Sequence, residues 1–322
     1  MMFAKLVYFG CVLATGVVVG SAAKADETPS WAYLGNPPPG VTPPPDTGVP
    51  LHVPDSDGAF TLTQIRNLFF SPDWHPADHS AMPPIVSEGR KPNVRACGSC
   101  HRSDGSGGPE NAKSAGLPAD YIAQQMRDFR SGARKSSVMG RVPPDVMVAS
   151  AKDITDDEIA AAADYFSAQK ARQAIKVVEA DTIPKTMVTG WHFAVAPEGG
   201  TEPLGQRVVE VPETLAYFSI RDSHAKFIAY VPPGSVKKGE ELASTGGGKT
   251  ISCRICHGQD LKGLGNIPGI AGRSPSYVVR QLHDFQSGAR AGTNSALMKG
   301  VVENLSVDDM VALAAYTATL SP

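Results

Sequence analysis

Two pentapeptides carry the chemistry of this chain: Cys97-Gly98-Ser99-Cys100-His101 and Cys253-Arg254-Ile255-Cys256-His257. In each, two thiols stand at the spacing that lets them add to the two vinyl groups of one haem. The adjacent histidine is then held beside the iron as an axial ligand, so the pattern reads as covalent attachment of haem c. The competing readings are a pair of disulfides or a zinc site. A zinc ribbon needs its Cys pairs roughly 15–20 residues apart, whereas all of residues 101–252 separate these two. Two covalently attached haem c groups are therefore expected, one on Cys97, Cys100 and His101, the other on Cys253, Cys256 and His257.

The elements that must position these residues are themselves duplicated. Residues 97–134 align with 253–290 without a gap at a constant offset of 156, and 15 of 38 positions are identical. The identities go beyond the ligands, to Tyr121/Tyr277, Gln125/Gln281, Asp128-Phe129/Asp284-Phe285 and Ser131-Gly132-Ala133-Arg134/Ser287-Gly288-Ala289-Arg290. After each motif comes a Gly-rich loop. Pro118 then opens a helix with Tyr121, Ile122, Met126 and Phe129 on one face, stopped by Gly132; its copy starts at Pro275, carries Tyr277, Val278, Leu282 and Phe285, and stops at Gly288. A last helix begins at a capping box, Thr155-x-x-Glu158 in the first repeat and Ser306-x-x-Asp309 in the second.

These repeats resemble the two-domain, di-haem class I c-type cytochromes of the cytochrome c-four kind. The resemblance rests on the two motifs, the Tyr-x3-Gln-x3-Phe-x2-Gly-x-Arg helices and the capped final helices with a methionine upstream. It covers roughly 90–172 and 240–322. It implies a mainly α fold with two duplicated class I cytochrome c domains, His/Met ligation, periplasmic residence and single-electron transfer between redox partner proteins. A dehydrogenase or quinol-oxidising complex would be the donor and a terminal oxidase or reductase the acceptor.

Under that resemblance each iron takes a methionine thioether as its second axial ligand, which raises its potential relative to a second histidine. In the second domain Met298, eight residues before the capping Ser306, is the choice; Met310 falls on the apolar face of the last helix. The first domain carries a five-residue insertion and leaves two candidates. Met147 lies eight residues before Thr155, matching Met298, while Met139 lies closer to the preceding helix. Pro143-Pro144 reads as the turn of the insertion.

The rest of the sequence bounds the setting. Lys5, the apolar run Leu6 to Gly20 and Ala23-Lys24-Ala25 read as a signal peptide over 1–25 that takes the fifth cysteine, Cys11, with it. No other stretch approaches 18 uninterrupted apolar residues, so no transmembrane segment is expected after cleavage. Formal net charge is −2 and becomes −4 on loss of Lys5 and Lys24, and no basic stripe exists for nucleic acid.

Two segments fall outside the family pattern. Residues 26–90 form a Pro-rich N-terminal extension that turns amphipathic around Phe60 to Phe70. Residues 173–239 form a β-rich connecting segment, with β-formers at 176–178, 187–189, 207–211 and 227–231. They separate the cytochrome c domains at 91–172 and 240–322, and the connecting segment is expected to pack between those domains and fix their geometry. His75 and His79 have a helical metal-ligand spacing, but Pro76 lies between them and favours a loop. Three functions fit: an electron carrier, a di-haem peroxidase-type enzyme with one open iron, or a cytochrome subunit docked on a larger dehydrogenase or oxidase complex.

Overall fold

The computed structural model describes residues 28–36 and 44–322. The expected signal peptide with Cys11, and Pro37-Pro38-Pro39 with Pro43, lie outside the described residues. Each repeat folds as the same set of helices. A short helix carries the motif (Cys97–His101 and Arg254–His257), and a long amphipathic helix follows (Ala119–Ser131 and Pro275–Gln286). A methionine-bearing helix comes next (Val142–Asp153 and Ser295–Val302), then a final helix (Asp156–Ala168 and Val307–Thr319). Both expected capping boxes form: Thr155 and Ser306 accept from the third backbone N–H of their helices while Glu158 and Asp309 reach back. Gly132 ends its helix at φ 77°, where a Cβ would be strained.

Pro143-Pro144 departs from expectation. These prolines sit in the first turn of the Val142–Asp153 helix, where a missing N–H costs nothing because the first four donors of a helix have no partner. The stretch read as a turn is the start of the helix that carries Met147.

The connecting segment is a set of small sheets. Ile175–Glu179 pairs in parallel with Phe227–Val231, which pairs antiparallel with Val209–Pro212. Two hairpin-like pairs, Thr182–Pro184 with Thr201–Pro203 and Thr186–Thr189 with His192–Val195, complete it. Val208 and Val231 are fully buried in one cluster with Met310, Leu313 and Ala314 of the second domain. The first domain keeps a separate core, in which Ile85, Val86 and Val94 pack with Ile159 and Phe166. The extension is extended only in part. It forms the capped helix Leu62–Arg66, and its Val53, Ile65 and Trp74 bury a small cluster of their own.

The connecting segment is not the sole contact between the two repeats among the described residues, because the repeats also meet directly. Arg134 and Arg290 face each other in an antiparallel bridge, with Lys135 N donating to Ala289 O and Ala291 N to Ala133 O. The segment does touch both repeats: Glu210 accepts from Ser274 Oγ at 2.6 Å in the second, and Phe218 lies under Arg102 in the first. Extension, segment and first domain are further joined by a polar clasp. Arg172 donates to Asp78 and Asp104 at 2.8 and 2.7 Å, and His75 stacks on His224 at 3.5 Å with its Nε2 3.0 Å from Asp222. His75, Asp78 and His224 lie close enough to hold a metal ion, but the Arg172 guanidinium already neutralises Asp78, so the group reads as an ion-paired lock.

Candidate haem sites

The two motif histidines are held alike. His101 Nδ1 lies 2.8 Å from Ala112 O and His257 Nδ1 2.7 Å from Pro268 O, carbonyls related by the same offset of 156. A carbonyl only accepts, so each Nδ1 carries the proton and each Nε2 keeps the lone pair that a metal needs. Burial, the main cause, lowers the pKa of both imidazoles and favours this neutral form.

The loop that supplies the carbonyl explains a repeated glycine. Gly107 sits at φ 63°, and a Cβ there would lie 2.6 Å from Ala112 O, the acceptor that orients His101. Its copy Gly263 sits at φ 101°, with a Cβ position 2.7 Å from Ile267 O. Phe166 of the final helix approaches the His101 ring at 6.3 Å between centroids. Cys97, Cys100, Cys253 and Cys256 form no disulfide with one another.

The methionines divide cleanly. Met298 is half-buried on the Ser295–Val302 helix and packs against the core cluster of its domain, as Cys253, Leu282 and Phe285 also do. Met147 is half-buried at the matching place on the Val142–Asp153 helix. Met139 lies outside any helix and is 78% exposed, while Met310 is fully buried in the core.

Residues between the two sites were missed as a functional group in the sequence reading. Arg134 donates to Gln125 at 2.8 Å, Tyr277 OH at 2.9 Å and Gln281 at 3.0 Å. Arg290 mirrors it, donating to Gln281 at 3.1 Å, Tyr121 OH at 2.6 Å and Gln125 at 2.8 Å. Each guanidinium also stacks on a phenylalanine of its own repeat, Phe129 at 4.6 Å and Phe285 at 4.2 Å. The signal was present: Tyr, Gln and Arg recur in both repeats although attachment of the haem does not require them. Both arginines are buried, and among the described residues no carboxylate lies within ion-pair distance of either. Two buried cations with neutral partners suit a group that brings its own carboxylates, as haem does.

Paired thiols, a neutral histidine with its Nε2 free, and a methionine helix, all duplicated in an α-helical frame, define a di-haem c-type electron-transfer protein. The family model for cytochrome c matches residues 86–170. Cytochrome c-554(548) of Halomonas halodenitrificans is 37% identical over 75 residues, which is 23% of this chain and 90% of that protein. Cytochrome c4 of Stutzerimonas stutzeri is 27% identical over 241 residues, 71% of this chain and 87% of its own length. The thiosulfate dehydrogenase electron acceptor of Thiomonas intermedia is 28% identical over 236 residues, 72% of this chain and 82% of that protein. The chain belongs to the cytochrome c family, with two covalently attached haem c groups.

Proposed function

We propose that this chain is a periplasmic carrier of single electrons, taking them from a dehydrogenase and delivering them to a terminal acceptor. The haem iron supplies a one-electron couple whose potential is set by its axial ligands. The residues of the chain do the rest. Cys97, Cys100, Cys253 and Cys256 would tether each haem, His101 and His257 would offer Nε2 to the iron, and Met147 and Met298 would supply the thioethers that complete its ligands. The single observation that carries this reading is the equivalent hold on the two histidines, each fixed by the carbonyl at the matching position of its repeat. An enzyme such as a peroxidase needs one iron left open, and two half-buried methionines on matching helices favour two closed sites instead. No helix of the described residues is long and apolar enough to cross a membrane.

A second reading has one observation in its favour: a relative bears the name of an electron acceptor for a thiosulfate dehydrogenase. A permanent place on such an enzyme would use the extension 26–90 and the segment 173–239 as the interface. Affinity capture of the tagged protein separates the two, since a carrier is recovered alone and a subunit brings its enzyme in fixed ratio. For the ligands, Met147→Ala and Met298→Ala should each remove half of the methionine-to-iron charge-transfer band. Met139→Ala should leave it whole; a band that survives Met147→Ala and is lost in Met139→Ala reverses the assignment.

A further inference from the structure

We infer that the two haems are not equivalent to the outside: electrons pass to and from partners through the second domain, and the first domain exchanges them only by way of the second. This rests on the carrier reading above and assigns its port. The repeats give an internal control, because each residue flanking one motif has a counterpart 156 positions on. Ser99 is 1% exposed, whereas Ile255 is 66% exposed. Ser103, Asp104, Gly108 and Pro109 are buried, but Gln259, Asp260, Leu264 and Gly265 are exposed.

Part of the cover comes from this chain's own additions to the family plan, and part from the two domains themselves. A Cβ on Gly98 would lie 2.3 Å from Ser71 Oγ and 3.0 Å from Val86 O, so the extension packs flat on the first motif. Phe218 of the connecting segment lies 4.9 Å under the Arg102 guanidinium, and its ring leaves no room for a Cβ on Gly108. Arg172 and Tyr165 bond Asp104 and the Ser103 carbonyl at 2.7 Å each. From the second domain, Arg273 and Arg280 donate to the carbonyls of Lys113 and Pro109. Among the described residues nothing comparable intervenes around Cys256, and Cys256 itself is exposed. Thioethers would hold one edge of the haem beside the cysteines, so whatever covers a motif would keep a partner away from that edge.

The occupant of the open face is a redox protein that gives or takes one electron at a time. Donor and acceptor would use this face in turn. Two successive one-electron transfers would reduce both ferric centres to ferrous, with the first domain acting as an internal store.

The test mixes the oxidised holoprotein with an excess of a reduced blue-copper protein and follows both chromophores by stopped flow. The expected trace has one phase whose rate rises with donor concentration and one that does not. Leu264→Glu, a change at a side chain that is 61% exposed and lies outside the attachment motif, should slow the bimolecular phase by roughly tenfold through charge and desolvation at the docking face. It should leave the other phase unchanged. Hydroxyl-radical footprinting of the same holoprotein should label residues 255–266 and spare 99–110. The inference is overturned if both phases scale with donor concentration, if Leu264→Glu leaves the bimolecular rate unchanged, or if the two segments label equally. If internal transfer proves too fast to resolve, Leu264→Glu and the footprint decide it. Failure to bind two haems, or to take up electrons at all, would instead sink the carrier reading itself.

Discussion

At the scale of single residues, the chemistry depends on which nitrogen of each histidine is free. The carbonyls of Ala112 and Pro268 settle this by accepting from Nδ1, and Gly107 leaves room for that geometry. Gly107→Ala would place a methyl 2.6 Å from Ala112 O at a positive φ. The expected cost is roughly 1–3 kcal/mol of stability, read as a lower denaturation midpoint, together with a weaker iron–methionine band in the first domain only. Met298→His should lower one midpoint potential by something on the order of 100 mV, a fraction of the roughly 0.8 V that axial ligands span. The other midpoint should stay nearly fixed, and movement of both would mean that the ligand had been misplaced. The thiols and histidines were legible in the sequence because attachment dictates their spacing. The proposal of Met147 and Met298 as ligands rests on analogy between repeats, and Pro143-Pro144 obscured the helix that carries Met147, because two prolines suit a first helical turn as well as a loop.

At the scale of elements, the caps and the amphipathic helices could be read directly, since they follow from local sequence. The contact between repeats could not, because Arg134 and Arg290 find their partners across about 150 residues of chain. Arg134→Ala would leave the half-buried Tyr277 and Gln281 short of a donor. It should cost roughly 2–3 kcal/mol and less than additively with Arg290→Ala, because the two share Gln125 and Gln281. Calorimetry would show this as one unfolding transition dividing into two; an undivided transition would mean that the connecting segment holds the repeats together.

Asp309 offers a pH test on the final helix of the second domain. Burial alone would raise its carboxyl, but bonds from Lys238, Lys249 and Ser306 together hold it well below the usual carboxylate range. With the folded pKa depressed, its contribution is present above about pH 4 and is lost as pH falls through the folded value. Asp309→Asn should therefore lower stability at pH 7 and flatten the dependence below pH 4. An unchanged acid limb would show that other carboxylates control it.

At the scale of the whole molecule, two copies of one domain have been made unequal by what surrounds them. The extension contributes Ile85 and Val86 to the core of the first domain, the inserted sheet shares the core of the second, and the Arg172 clasp ties both additions together. The strands of the insertion were foreseen in outline from their β-formers. Their placement was not, because it depends on Val208 and Val231 matching a face of a helix far along the chain. Replacing residues 173–239 by a flexible Gly/Ser linker of similar reach should leave the Arg134–Arg290 contact able to form. It should uncover the Arg102–Gly108 flank, so that the first domain gains a concentration-dependent reaction with an external donor.

The central claim is a carrier with two closed, His/Met-ligated haems. A spectroelectrochemical titration of the intact protein, followed in the visible and at the methionine-to-iron band, tests it most directly. The account predicts two one-electron steps, low-spin iron throughout, and loss of half of the ferric band with each step. A high-spin or ligand-accessible iron in either domain, or a single one-electron step, would contradict it.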